Sequence, residues 1–264
     1  MQRRQFLAAS LATSAAAFMG DASAQKSRAR SREFYLIRRY QLQNGSQTKL
    51  TEDYFKGALL PALNRMGMNP VGAFALEFGP ETPRYHLLIP SDSVEALATL
   101  DLRLARDTEF MEQARPFWNA PAATPAFQRI VSSLLVAFEG WPKITPPEAS
   151  GGKSGRIYQM RTYESASDQD HVRKVEMFHS GELEIFKRAG AQPVFFGDAL
   201  VGPRLPNLTY MLSFASMEDL NKSWAAFGAD PAWKKLSASP RFSFEQIVSN
   251  ISNRILTPLA ASQI

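Results

Sequence analysis

The chain has 264 residues, a formal net charge of +5, 45% apolar and 21% charged residues, no cysteine and three histidines. Without cysteine there are no disulfides, no thiolate-bound iron–sulfur clusters and no cysteine-based zinc sites; a multi-histidine metal site would need nearly all of His86, His171 and His179. The positive excess sits largely in KSRARSR at 26–32, and no basic-aromatic pattern follows it, so it reads as a solvated leader with no nucleic-acid partner.

The chain opens MQRRQFLAASLATSAAAFMGDASAQ. Arg3 and Arg4 form a positive start, Phe6 to Met19 is a mildly apolar run, and Ala22-Ser23-Ala24 fits a small-residue cleavage site. Residues 1–24 are expected to be a signal peptide, and Arg3-Arg4 before Gln5-Phe6-Leu7 matches the twin-arginine pattern. The expected location is the bacterial periplasm or the exterior, with no stable membrane span after cleavage, since the apolar run is too short to span a bilayer. Residues 25–32 form the basic leader.

From here the elements come in a repeated order. FYLIRRYQL reads as a strand, KLTEDYFKGALLPALNRMG as an amphipathic helix stopped at Gly67, PVGAFALEFG and RYHLLIP as two strands, and SVEALATLDLRLAR as a second helix. A further short helix starts at Asp107, and FQRIVSSLLVAF reads as a closing strand. EGWPKITPPEASGGKSG at 139–155 is rich in Pro, Gly and Ser and holds a linker. Its GGKSG lacks the strand and the first glycine of a phosphate-binding loop.

The same order then returns. YLIRRYQ at 35–41 aligns with YQMRTYE at 158–164, and RMGMNPV at 65–71 with RAGAQPV at 188–194, both 123 residues on. Asp107 and Phe110 align with Asp230 and Trp233; the closing strand aligns best 117 residues on, and Tyr85 is set opposite Tyr210 by a two-residue shift. In WAAFGADPAWKKL at 224–236, Asp230 is an expected N-cap, Pro231 is tolerated at the first helical position, and Trp233 anchors the new turn. The expected units are 33–145 and 156–258, joined by a linker at 146–155. Each has the order strand, helix, strand, strand, helix, strand. The fold class is therefore α+β: two tandem ferredoxin-like (βαββαβ) units packed sheet to sheet, each burying its bare sheet face on the other.

The residues MRTYE, the helix end at Gly190, LTYMLSFASMEDL at 208–220 and WAAFGADPAWKKL resemble the NIPSNAP family, and the similarity spans nearly the whole chain after the signal. The first copy is the weaker match, lacking the Trp and Pro of the last motif. The resemblance implies an intrachain dimeric α+β barrel. It implies no defined activity, and relatives of the same barrel include cofactor-free monooxygenases, isomerases and haem proteins.

On the first strands, alternation puts Arg38 with Tyr40, and Arg161 with Tyr163, on one face. That face is expected to line the barrel, where an arginine and a phenol would hold a small apolar or anionic ligand; an internal ion pair or a structural tyrosine bond is the competing explanation. Tyr35, Ile37, Tyr158 and Met160 are expected under the helices. The resemblance adds His86, at a third-strand position where the family often has His, as a binding candidate. His179, beside Phe178 on the first helix of the second copy, could meet a haem edge. No cofactor is expected, with haem the alternative. The residues leave two functional classes open: a binding protein, or a cofactor-free monooxygenase- or isomerase-like enzyme. They also leave open whether the two-copy chain pairs again as a homodimer.

Overall fold

The computed structural model describes residues 32–148 and 155–264. The expected signal peptide at 1–24, the expected leader up to Ser31 and residues 149–154 of the expected linker lie outside the described residues. In the first copy β1 (Phe34–Gln41) leads into α1 (Ser46–Tyr54), a π-helical turn (Phe55–Leu59) and α2 (Leu60–Arg65). The hairpin β2 (Gly72–Phe78) and β3 (Arg84–Ser91) follows, then α3 (Val94–Ala98), α4 (Leu100–Leu104), α5 (Thr108–Trp118) and β4 (Arg129–Ala137). The second copy runs β5 (Ile157–Glu164), α6 (Asp168–Met177), a π-helical turn (Phe178–Glu182) and α7 (Leu183–Arg188). It continues through β6 (Gln192–Val201), β7 (Asn207–Phe214), α8 (Met217–Ala229), α9 (Pro231–Ser237), α10 (Phe244–Ile247) and β8 (Asn250–Pro258).

All strand pairs are antiparallel, and the eight strands close into a barrel in the order β1-β3-β2-β8-β5-β7-β6-β4. Each copy contributes a four-stranded ferredoxin-like sheet. The copies face each other across the interior and also join edge to edge, β2 to β8 and β4 to β6, so no sheet edge is left unpaired.

Local chemistry explains the element ends. Asp107 accepts a hydrogen bond from the Phe110 backbone N–H at 2.9 Å, and Asp230 accepts one from Ala232 at 2.7 Å, so both copies cap this helix as the sequence predicts. Ser93, Ser167 and Ser216 cap α3, α6 and α8 in the same way. Gly67 and Gly190 end their helices at φ 75° and 86°, the left-handed region where a Cβ is unfavourable.

The strand registers revise two alignments. Arg38 lies opposite Leu87 and Arg161 opposite Tyr210, so the 123-residue spacing persists through the hairpin, and Tyr85 corresponds to Leu208 instead of Tyr210. In the closing strands Leu135 pairs with Tyr35 and Leu256 with Tyr158, a spacing of 121. The apparent 117 arose because similar Phe/Gln/Ile/Val runs stand across the start of β4 and just before β8. A slip of four residues preserves strand facing, so it changes partners but not faces.

Three buried clusters form. Leu36, Tyr40, Phe55, Leu59, Leu87 and Phe110 lie between the first sheet and its helices. Tyr163, Phe178, Phe186, Tyr210 and Phe227 do the same in the second copy. The third fills the barrel with Tyr35, Ile37, Phe74, Tyr158, Met160, Phe195, Met211 and Leu256 from both copies. The facing assigned from the sequence is therefore inverted. Arg38, Tyr40, Arg161 and Tyr163 lie under the helices, while Tyr35, Ile37, Tyr158 and Met160 point inward. The interior is enclosed by sheet on all sides and takes the least polar residues. The helix layer borders solvent, so a long arginine can lie along it and still reach a carboxylate.

Candidate anion site at the barrel mouth

The helix-side candidates are held by internal contacts. Arg38 makes a two-pronged pair with Asp101, at 2.8 and 2.9 Å. Tyr40 is buried edge-on against Phe55 and Phe117. Arg161 lies 4.4 Å over the Trp224 ring, and the Tyr163 and Tyr210 hydroxyls are 2.8 Å apart. These four residues sit in two separate helix layers and share no cavity. His179 is on the outer surface of the second layer. Its Nδ1 bonds the Val175 carbonyl at 2.9 Å, and its Nε2 accepts from the Gly140 N–H at 3.2 Å. A haem has no fit at either candidate histidine: both His179 nitrogens are engaged, and His86 is sealed among packed side chains with no room for a macrocycle.

His86 alone of the sequence candidates points into the barrel. It follows the inward parity of Leu88 on β3 and pairs across to Arg39 on β1. It is fully buried, and neither ring nitrogen has a hydrogen-bond partner in the protein. Burial, with Arg254, Arg39 and Arg84 nearby, holds its pKa well below the usual imidazole value, so it is neutral. A fully buried polar ring without partners is unusual and points to a bound water or ligand.

His86 belongs to one end of the barrel. The opposite end is stoppered: Ile144 from the linker side and Ile264 from the C-terminal segment both join the interior cluster. Ile264 packs beside Gly72, where a Cβ would meet the Phe74 ring at 2.5 Å. The open end is lined by Arg39, Thr162, Arg204, Asn207, Thr209 and Arg254 around a cleft of about 40 Å³, floored by Ile37 and Met160. Among the described residues neither Arg39 nor Arg254 has an ion-pair or hydrogen-bond partner. Arg254 is buried, and burial with Arg39, Arg204 and Arg84 lowers its pKa to about 10. Arg39 is also lowered, by burial and by Arg84 and Arg204. Arg84 is paired with Glu81, and Arg204 with Glu164 at 2.9 Å. These four guanidiniums and two carboxylates leave two positive charges uncompensated.

The mouth is framed by two matching arches, GPETP at 79–83 and GPRLP at 202–206, again 123 residues apart. Their central residues, Glu81 and Arg204, sit at φ 60° and 62°, the left-handed region where glycine would cost less. Both carry charge instead and make the ion pairs just described. Both copies thus keep the same costly backbone conformation at the same place. The second arch also leans over the cleft: Arg204 donates to the Ser252 hydroxyl at 2.8 Å, and a Cβ on Gly202 would come within 2.7 Å of Ser133 Oγ.

Sequence reasoning missed Arg39, Arg254 and the arches. Arg39 was overlooked because its face was assigned to packing. The arches were legible as a 123-residue repeat of Gly-Pro-x-x-Pro, and that signal would have found the mouth.

The NIPSNAP profile matches residues 35–137 and again 158–263. The chain belongs to the NIPSNAP family. An uncharacterised NIPSNAP-like domain protein of Burkholderia xenovorans is 17% identical, over 40% of this chain and 87% of its own, with a TM-score of 0.36. A protein of Fusobacterium nucleatum described as a candidate monooxygenase is 8% identical over 87% of this chain and 94% of its own, with a TM-score of 0.55. A Lactobacillus acidophilus protein of similar description is 9% identical over 86% and 94%, with a TM-score of 0.54. At that identity the likeness is of fold alone. No curated protein matches the chain.

Proposed function

We propose that this NIPSNAP protein is an exported binding protein whose barrel mouth takes an oxyanion group, a carboxylate or phosphate, of a small molecule. One observation carries the reading: Arg39 and Arg254 line one cleft with no ion-pair or hydrogen-bond partner among the described residues, and Arg39 lies opposite buried, unbonded His86 in the barrel wall. Guanidiniums supply charge and directed donors, and buried, neutral His86 behind them adds no charge of its own. The cleft has room for a headgroup only. The enzyme alternative has less support, because a cofactor-free oxygenase must enclose its substrate and the interior here is filled by Tyr35, Phe74, Phe195 and Met211.

Export rests on the N-terminal sequence and is tested separately. Replacing Arg3 and Arg4 with lysine should hold the chain in the cytoplasm, and an unchanged distribution would remove the twin-arginine reading. Binding is tested by native mass spectrometry on protein purified from the periplasm, and by thermal shift with phosphate and acetate. A bound acidic mass, or a thermal shift lost in Arg254→Gln, supports the reading. No bound mass and equal melting with and without anions would overturn it.

A further inference from the structure

The mouth is not only cationic. Phe78 and Val201 occupy the same place in the two copies, each just before its arch, and each is 62% exposed. Leu205, inside the second arch, is 47% exposed, and Ile251, beside the Arg204 contact Ser252, is 38% exposed. Leu200 adds to the same strand end at 45%. Nine large apolar side chains are strongly exposed among the described residues, and these five lie at the strand ends and hairpin loop of this end of the barrel. An apolar collar around a recessed positive centre is a complementary pair of features: the collar suits a hydrocarbon and the centre suits an anion.

From this we propose that the occupant is a dissolved anionic amphiphile, a single-chain carboxylate or phosphate ester. Its headgroup sits between Arg39 and Arg254, and its chain lies over the Phe78, Val201 and Leu205 side of the rim. The assignment rests on the anion site above and adds the apolar body. The small cleft and its filled floor at Ile37 and Met160 prevent the chain from entering the barrel, so it must lie across the rim. The arginines decide between a dissolved molecule and a membrane surface. Arg254 is only 8% exposed and Arg39 is half-buried, whereas Phe78 and Val201 on the rim are each 62% exposed. A headgroup still in a bilayer meets the exposed rim before it meets buried Arg254, whereas a free molecule enters the cleft without that barrier.

The test compares binding of acetate, hexanoate, decanoate and decanol by calorimetry, with co-sedimentation on phosphatidylglycerol vesicles as a second arm. Affinity should rise along the acids by about tenfold or more in total, since a fully buried methylene gives roughly fourfold and an open rim gives less. Decanol should bind about tenfold or more weaker than decanoate. Phe78→Ser with Val201→Ser should flatten the chain-length gradient, whereas Leu102→Ser, on the far helix layer and 66% exposed, should leave it in place. Equal affinity for acetate and decanoate would overturn the amphiphile proposal and leave the anion site standing. Decanol binding as tightly as decanoate, or no binding of any acid, would overturn the anion site as well. Vesicle binding without capture of dissolved decanoate would make the rim a membrane-docking surface and overturn the dissolved-ligand proposal.

Discussion

Thr162 and Thr209 share a 2.9 Å hydroxyl hydrogen bond at the register position where the first copy sets Arg39 opposite His86. One copy closes this seam of the barrel with a small, mutually satisfied pair. The other leaves it open with a free charge and an unbonded ring. The comparison gives a direct experiment. Converting the first copy to the second, Arg39→Thr with His86→Thr, should stabilise the unliganded protein by about 1–3 kcal/mol, because the buried, unbonded His86 ring and the unpaired, half-buried Arg39 are removed and a satisfied pair replaces them. The same variant should lose anion binding. Urea melts with and without phosphate check both parts, and a less stable variant would mean that His86 contributes packing the threonines cannot replace.

His86 should also set an acid limit on stability. Its folded pKa lies well below 6.5, through burial and the nearby Arg254, Arg39 and Arg84. As pH falls through 6.5 the unfolded chain takes up a proton and the folded chain does not. Unfolding therefore becomes easier as pH falls, by about 1.4 kcal/mol per unit for this group, until the folded pKa is reached. The contribution is fully present above pH 6.5. His86→Leu should flatten this slope between pH 6.5 and 5. An unchanged slope in denaturation curves would place the acid sensitivity elsewhere.

The fold was legible because repetition made it so. Two copies of YxxRxY and of the Asp-capped turn fixed the element order, and the absence of cysteine left sheet burial as the means of stabilisation. The facing of β1 and β5 was not legible. Tyr35 and Tyr40 are both aromatic and both fully buried, one in the barrel and one under helices, so alternation marks two faces without saying which layer covers each. Arg254 was invisible for a different reason: it owes its role to Arg39, Arg84 and Arg204, which barrel closure alone brings near it.

Asp101 and Trp224 show how one repeated geometry is served by two chemistries. They stand at equivalent places, and each meets the equivalent arginine: Asp101 pairs with Arg38, and Trp224 lies under Arg161 while its Nε1 donates to Gln159 at 2.7 Å. Asp101 is 59% exposed, so solvent screens its pair; Trp224 packs against Phe186 and Phe227. Trp224→Ala should cost about 2–4 kcal/mol from lost packing and the cation–π contact. Asp101→Asn should cost about 1 kcal/mol or less. Chemical denaturation ranks the two, and the reverse order would mean that the exposed ion pair dominates.

Among the described residues Arg161 makes no ion pair like that of Arg38 with Asp101, and the carboxylate that acts on it is the buried Glu182. Glu182 and Lys174 are 1% and 0% exposed and 2.6 Å apart, on opposite sides of the turn around Gly181, which sits at φ 140°. Burial raises the Glu182 pKa, opposed by Lys174 and Arg161; burial lowers that of Lys174, opposed by Glu182. Each group offsets the desolvation that burial imposes on the other. Lys174→Met should therefore cost about 3–5 kcal/mol, since it leaves a buried carboxylate without its main partner. The double variant Lys174→Met with Glu182→Leu, the counterpart of Leu59 in the first copy, should recover most of that loss. A double-mutant cycle in urea gives the coupling directly. Additive losses would show that the pair is not a unit and that Arg161 holds Glu182 on its own.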